Sequence, residues 1–368
     1  MSTSPDPQLP ADQVERAENE IELKDVVGLS QGEIVRRRFF RHKGAMIGLA
    51  VLIAVTLLAF TSVGVGPLPG WWKYTGYETN LDVVRPGGLP TLSMPTWLGG
   101  DGFAVGPHPF GQDELGRDLF ARVMHGVQTS LMVMAIIGLV ACGIGVLVGS
   151  LAGFFRGRLD TFLMRTTDLF ITVPTIVIGA VIGKLAGQVS GVLFAVGMGL
   201  VLWTSLARLV RGEFLALRER EFVDAARVAG ASNRRIIFKH ILPNAIGTII
   251  VSTTLLMSSA ILLETALSYL GFGIQPPTIS LGQLIQVYQE AFSTRPWLFW
   301  WPGLFIVVIA LTVNFIGDGL RDAFDPRQKR IPSERKMAKA QAGVDSARQS
   351  TVPGQLSGRH AGMGPGAA

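Results

Sequence analysis

From residue 44 to residue 64 the chain carries no charged side chain. A bilayer core of about 30 Å takes roughly 20 apolar residues at about 1.5 Å rise each. Backbone groups in hydrocarbon must be satisfied within the segment, so a run of this kind commits the chain to a membrane-spanning helix. Five more segments meet or approach that length, over about 129–154, 159–183, 187–207, 245–270 and 297–317. In the 159–183 segment Arg165 and Asp168 shorten the clean apolar stretch and Pro174 interrupts it. The first run lies behind a long polar tail, too long and too late for a cleaved secretory signal, and reads as an uncleaved span. The fold class expected is an all-α polytopic membrane protein with six transmembrane helices.

Composition fits this reading. The charged fraction is 16%, against about 25% in an ordinary soluble domain. The net charge of +6 comes from basic residues beside the apolar runs rather than in one stripe, which favours membrane orientation over nucleic-acid binding. Arg36, Arg37, Arg38, Arg41 and Lys43, with Phe39 and Phe40 among them, suit an anionic lipid surface. With a cytoplasmic N-terminus, the inner segments hold this cluster, Arg156 and Arg158, the basic stretch 208–240, and Arg321, Arg327, Lys329 and Arg330. The outer segments 65–128 and 271–296 are poor in Lys and Arg, so both termini are expected in the cytoplasm. Trp71, Trp72, Trp297, Trp300 and Trp301 fall at the outer boundaries.

This organisation divides the chain into a disordered tail (1–35), the basic cluster and first span (36–64), an outer segment (65–128), a five-span core (129–320) and a C-terminal tail (321–368). The core carries a cytoplasmic loop at 208–244, and the last tail is expected to be mostly disordered. The outer segment is expected to turn helical from about Asp113, so that Asp113, Glu114, Arg117 and Asp118 form a charge cluster. That cluster is either a solvated helix face or a docking surface.

Catalytic patterns are absent from the sequence: no phosphate loop, no His-Glu-x-x-His, no Gly-x-Ser-x-Gly. Five scattered histidines lack metal-site spacing, and the single cysteine, Cys142, reads as a small buried apolar residue. The chain is therefore expected not to be an enzyme and to hold no cofactor or metal. The informative stretch runs from Glu221 to Asn244. It reads as a helix, a break at Gly230, a second helix capped by Ser232, and a stop at Pro243 before the fifth span. Phe222, Ala226 and Ala229 share a face of the first helix at i, i+4 and i+7, and its small residues would let another protein approach closely. A plain linker held at the membrane by its charges is the competing reading.

That stretch resembles the EAA loop of permeases of ATP-driven importers, written Glu-Ala-Ala, three residues, Gly, nine residues, Ile-x-Leu-Pro. Asp224 stands at the Glu place; Ala225, Ala226, Gly230, Leu242 and Pro243 match; His240 stands at the Ile place, as is common in peptide-type members. His-Pro-Phe-Gly-Gln-Asp-Glu-Leu-Gly-Arg-Asp at 108–118, Ala-Leu-Ser-Tyr-Leu-Gly-Phe-Gly at 266–273 and Asn-Phe-Ile-Gly-Asp-Gly at 314–319 are similar to signatures of C-type dipeptide/oligopeptide permeases. The resemblance spans roughly 36–330 and implies the type I ATP-binding-cassette importer permease fold in a bacterial inner membrane. It implies a B-type permease partner, two ATPase subunits that carry the ATP and Mg, and an extracytoplasmic solute-binding protein, with no nucleic acid. It also implies that the loop couples to the ATPase through Glu221, Asp224, Ala225, Ala226, Gly230, His240, Leu242 and Pro243, with Ala226 facing the ATPase groove. The solute is expected to be a di- or oligopeptide, with nickel chelates or glutathione-like molecules as alternatives.

Glu264, about 19 residues into the fifth span, is a candidate for the solute pathway, against a structural reading as a hydrogen-bonded boundary carboxylate. Arg165 and Asp168 at i, i+3 are expected to pair on one helix face. A self-sufficient secondary transporter is the rival class, but it usually shows paired inverted repeats and more spans.

Overall fold

The computed structural model describes residues 31–80, 88–93, 96–98, 102–187 and 190–325. The expectation of disorder at 1–30 and 326–368 lies outside these residues. Helix α1 (Gln31–Arg41) begins inside the segment read as tail and ends one residue before α2 (Lys43–Ser62). A two-stranded antiparallel hairpin follows, β1 (Gly64–Val65) with β2 (Leu68–Pro69). Then come α3 (Leu119–Phe155), α4 (Gly157–Thr172), α5 (Thr175–Ile182), α6 (Gly191–Leu202) and α7 (Thr204–Arg218). The chain continues with α8 (Glu221–Val228), the single turn α9 (Asn233–Arg235), α10 (Leu242–Tyr269), α11 (Leu281–Tyr288) and α12 (Trp297–Phe324).

Four stretches are long and apolar enough to cross a membrane alone: Lys43–Ser62, Leu119–Phe155, Asn233–Tyr269 and Trp297–Phe324. Two bent pairs bring the candidate spans to six: Gly157–Thr172 with Thr175–Ala186, bent by 80°, and Gly191–Leu202 with Thr204–Arg218, bent by 43°. The sharper bend has a local cause. Proline disfavours helical geometry in the residue before it, and Val173, ahead of Pro174, is extended at φ −89°, ψ 128°. The third segment is therefore two helices set at 80° rather than one straight helix.

Helix α3 holds the bundle together. Gly145, Gly149 and Gly153 recur every four residues along one face, which lets α7 approach closely. A Cβ at Gly149 would lie 2.5 Å from the Ala207 carbonyl oxygen and 2.8 Å from Cβ of Val210; one at Gly153 would lie 2.6 Å from Cβ of Phe214. Elsewhere α3 packs through Val133 and Ile137 with Phe194 and Met198 of α6 and Leu267 of α10. Its first turns pack through Phe120, Val123 and Val127 with Leu281 and Leu284 of α11 and Ile306 and Ile309 of α12.

The segment ahead of α3 departs from expectation. Asp113–Asp118 is not the first turn of a helix; Asp113 and Asp118 are buried, and Glu114 is exposed. The helix starts at Leu119, and buried Asp118 is its N-cap, accepting from the Ala121 amide at 2.7 Å. Asp118 also meets His108 Nδ1 at 2.6 Å and accepts from Trp72 Nε1 at 3.0 Å. Asp113 is buried too, accepting from the Arg117 amide and Nε and from the Tyr288 hydroxyl at 2.9 Å. Burial raises the Tyr288 phenol above its ordinary range, so it serves as a donor. Phe110 stacks on Trp301 at 3.9 Å. Asp113, Asp118 and Phe110 thus pin the segment onto α3, α11 and α12, which corrects the reading of a solvated helix face.

Candidate functional site

The loop between α7 and α10 has a small core of its own. Val210 and Phe214 of α7, Val223 of α8, and Ile236, Ile237 and Ile241 after α9 are buried together against Phe154 at the end of α3. Helix α8 ends in a paired-bond C-cap: Ala231 N–H donates to Ala226 O at 3.0 Å and Gly230 N–H to Arg227 O at 2.9 Å. This cap places C′ in the left-handed region, and Gly230 has φ 77°. Nothing lies within 4 Å of a Cβ built there, so glycine is required by conformation and not by space. Ser232 then caps α9, its Oγ accepting from the Arg235 amide at 3.4 Å.

Pro243 does not end a helix. The chain runs from α9 through a widened, π-type turn at Ile236–Ile241 straight into α10. A proline in a helix lacks its own N–H and crowds the carbonyl four residues back. The wider turn absorbs that crowding: Leu242 N–H bonds Ile237 O, five residues back. The loop's second half is thus one continuous rod with the membrane span Asn233–Tyr269.

The loop residues are placed as follows. Glu221, Asp224 and Ala225 are exposed, and Asp224 pairs with Arg227 at 2.8 Å. Ala226 is half-buried against the loop core, because i, i+3 spacing sets it beside buried Val223. It is therefore partly covered by the loop's core, while Phe222, Ala225, Val228 and Ala229 are exposed. His240 and Leu242 are half-buried, and Pro243 is exposed. Val228, 90% exposed, and Phe238, 60% exposed, are large apolar side chains left open. An open recess of about 390 Å³ is lined by Ser232, Arg234, Arg235, Phe238 and Lys239.

The loop is clamped to the α3–α4 corner. Arg156, at φ 57°, pairs with Glu219 at 2.6 Å, and Arg218 donates to the Phe154 carbonyl. Arg211 grips Asp160 of α4 with two bonds of 2.6 and 2.7 Å, and Arg208 meets Asp168 at 2.5 Å. Asp168 thus pairs across to α7 and not with Arg165 on its own helix. Thr248 of α10 donates to Glu213 of α7 at 3.1 Å. Exposed pairs such as Arg156–Glu219 contribute little, about 0–1 kcal/mol. The bidentate Arg211–Asp160 pair is more shielded and geometrically specific.

Glu264 lies inside the bundle. It is 2% exposed, and its Oε1 accepts from Ser268 Oγ and Ser280 Oγ, each at 2.8 Å. Ser280 caps α11 and Ser268 Oγ accepts from the Ile274 amide. Through Oε1 the carboxyl group ties the 270–283 connection to α10, and its Oε2 is buried without a hydrogen-bond partner among the described residues. Among the described residues no group of three or more His, Cys, Asp or Glu is arranged to hold a metal.

Residues 145–330 match the family model for binding-protein-dependent transport system inner membrane components, and residues 30–85 match the N-terminal TM domain of oligopeptide transport permease C. The chain belongs to this permease family. It is 35% identical over 306 residues to an oligopeptide transport system permease protein OppC of Mycobacterium bovis, covering 82% of this chain and 97% of that one. It is 34% identical to the protein of that name from Haemophilus influenzae, covering 89% and 98%. The solved inward-facing structure of the MetNI methionine ABC transporter aligns with TM-score 0.46 and 21% identity, over 56% of this chain and 96% of that one. The permease is a multi-pass membrane subunit, and its family works with separate ATPase and binding-protein subunits.

Proposed function

We propose that this permease forms half of the translocation pathway of an ATP-driven importer of di- or oligopeptides. A related B-type permease supplies the other half. An extracytoplasmic binding protein delivers the solute, and two ATPase subunits, which hold the ATP and Mg, drive the cycle. Both termini and the 208–244 loop face the cytoplasm, and the 65–118 segment faces outward. The names of the relatives support the peptide class.

One observation carries the coupling role: α8 packs through Val223 on an apolar cluster shared with α7 and the start of α10, and it exposes Phe222, Val228 and Ala229. A partner can transmit motion only through a preformed element that it grips differently in two states. The outward residues Glu221, Phe222, Asp224, Ala225, Val228 and Ala229 meet the ATPase, while Ala226, Gly230, His240, Leu242 and Pro243 set the loop's shape. Gly230→Val tests this, since a β-branched residue tolerates φ 77° poorly. The assembled complex is expected to insert normally and then lose its ATPase subunits, or hydrolyse ATP without uptake. Normal uptake with normal assembly would make the loop a passive linker.

A further inference from the structure

We propose that α1, together with the first residue of α2, is a binding surface for the headgroup of an anionic phospholipid. The coupling loop uses none of these residues. The placement comes first. One residue, His42, separates α1 from a span that starts at Lys43, so the end of α1 lies at the bilayer surface. At about 1.5 Å per residue the whole of α1 extends about 16 Å from that point, within reach of the headgroup layer.

The junction is held, not loose. His42 is extended at φ −81°, ψ 103°, which breaks the helix between α1 and α2. Its Nδ1 accepts from the Ala45 amide at 3.0 Å, and its Nε2 lies 3.3 Å from Asp322 of α12. An imidazole that accepts at Nδ1 carries its proton on Nε2, which suits the carboxylate there. Close packing supports the same point: a Cβ at Gly319 of α12 would fall 2.2 Å from that of Ala45. The cations of α1 are therefore presented at a fixed place beside the span.

The faces of α1 divide by chemistry. Ile34, Val35 and Phe39 are half-buried, while Arg36, Arg37, Arg38, Arg41 and Lys43 are exposed. Glu33 pairs with Arg37 at 3.1 Å and is the one acidic residue of α1. Phe40 is 57% exposed in the middle of the arginines. Cations around an exposed aromatic ring, next to a span, complement anionic headgroups over an apolar boundary. A nucleic acid or an acidic protein would satisfy the charges but gives the ring no apolar phase to enter.

The test uses the full chain, with Cys142→Ser and a bimane fluorophore on Phe40→Cys, in nanodiscs carrying either brominated phosphatidylglycerol or brominated phosphatidylcholine. Both leaflets then hold the same lipid, so the outcome does not depend on the orientation proposed above. Quenching by the anionic lipid is expected to be at least about threefold stronger. Arg36→Gln with Arg41→Gln and Lys43→Gln should remove the preference and keep the weaker phosphatidylcholine quenching. A label on Leu57→Cys, on the exposed face of α2, should be quenched equally by both lipids and reports insertion. Equal quenching at position 40 in the parent, or a preference that survives the triple variant, overturns the proposal. Quenching by neither lipid, with position 57 quenched, assigns the surface to a protein partner and overturns it as well.

Discussion

The segment from Gly64 to Asp118 and the loop from Glu219 to Ile241 are both polar connections between spans, yet they use charge in opposite ways. In the first, Asp113 and Asp118 are buried and tied to distant parts of the chain, Asp113 by the Tyr288 hydroxyl and Asp118 by Trp72 and His108. In the second, Glu221, Asp224, Arg234, Arg235 and Lys239 are exposed, and the Asp224–Arg227 pair is local. What is buried in the loop is apolar: Val223, Ile236, Ile237 and Ile241. A buried carboxylate network fixes one arrangement, because any departure strands a desolvated group. An apolar core under an exposed charged skin gives a stiff element whose surface is still open to a partner. The first segment acts as a brace across α3, α11 and α12, and the loop as a handle.

The largest effect that would break this comparison is at the brace. Asp118→Ala removes the α3 cap and leaves His108 and Trp72 without their buried partner. A lost N-cap costs about 0.5–2 kcal/mol and a lost buried hydrogen bond to a charged group about 1.5–3 kcal/mol, so thermal unfolding in detergent should show a destabilised or unfolded protein. A variant as stable as the parent would mean that the segment is not a brace.

The clamp between handle and bundle should give a smaller effect on stability and a sharper one on mechanism. Asp160→Asn weakens the two bonds from Arg211 and costs about 2 kcal/mol, while uptake per ATP hydrolysed should fall several-fold. Asp160→Arg combined with Arg211→Asp restores opposite charges across α4 and α7 and should recover part of that ratio. If the single variant leaves the ratio unchanged, the clamp does not carry motion into α4.

Much of this was legible in the sequence, and the reasons divide cleanly. Spans announce themselves because hydrocarbon forbids charge over about 20 residues. The turn at Gly230 was legible because a helix C-cap needs a left-handed residue. The start of α3 at Leu119 rather than near Asp113 was not, because Asp118 as a cap and Asp118 on a helix face look alike in one dimension. The partners of Glu264 were not legible, because Ser280 lies 16 residues on, across the turn after α10. The partial covering of Ala226 was hidden because a short helix of small residues does not say which side packs on the core; Val223 marks that side. The close contact of α3 with α7 had a signal that went unused, the four-residue recurrence of Gly145, Gly149 and Gly153. The Arg208 and Arg211 partners lie 40 and 51 residues away in the chain, beyond any local pattern.

The smallest structural perturbation separates the two regions most directly. Val228 is 90% exposed, so Val228→Cys in a Cys142→Ser background should shift stability by no more than about 0.5 kcal/mol. Phe103, 73% exposed in the other segment, gives a matched site. A membrane-impermeant thiol reagent should label position 103 in intact spheroplasts and position 228 only in inverted vesicles, as the proposed orientation requires. In the assembled complex, ATPase subunits should shield position 228 and leave position 103 unaffected, because the handle is gripped and the brace is on the far side. Labelling of position 228 from outside would reverse the orientation. Labelling from inside that is indifferent to the ATPase subunits would keep the orientation and remove the grip from α8, which makes the two failures distinguishable on one preparation.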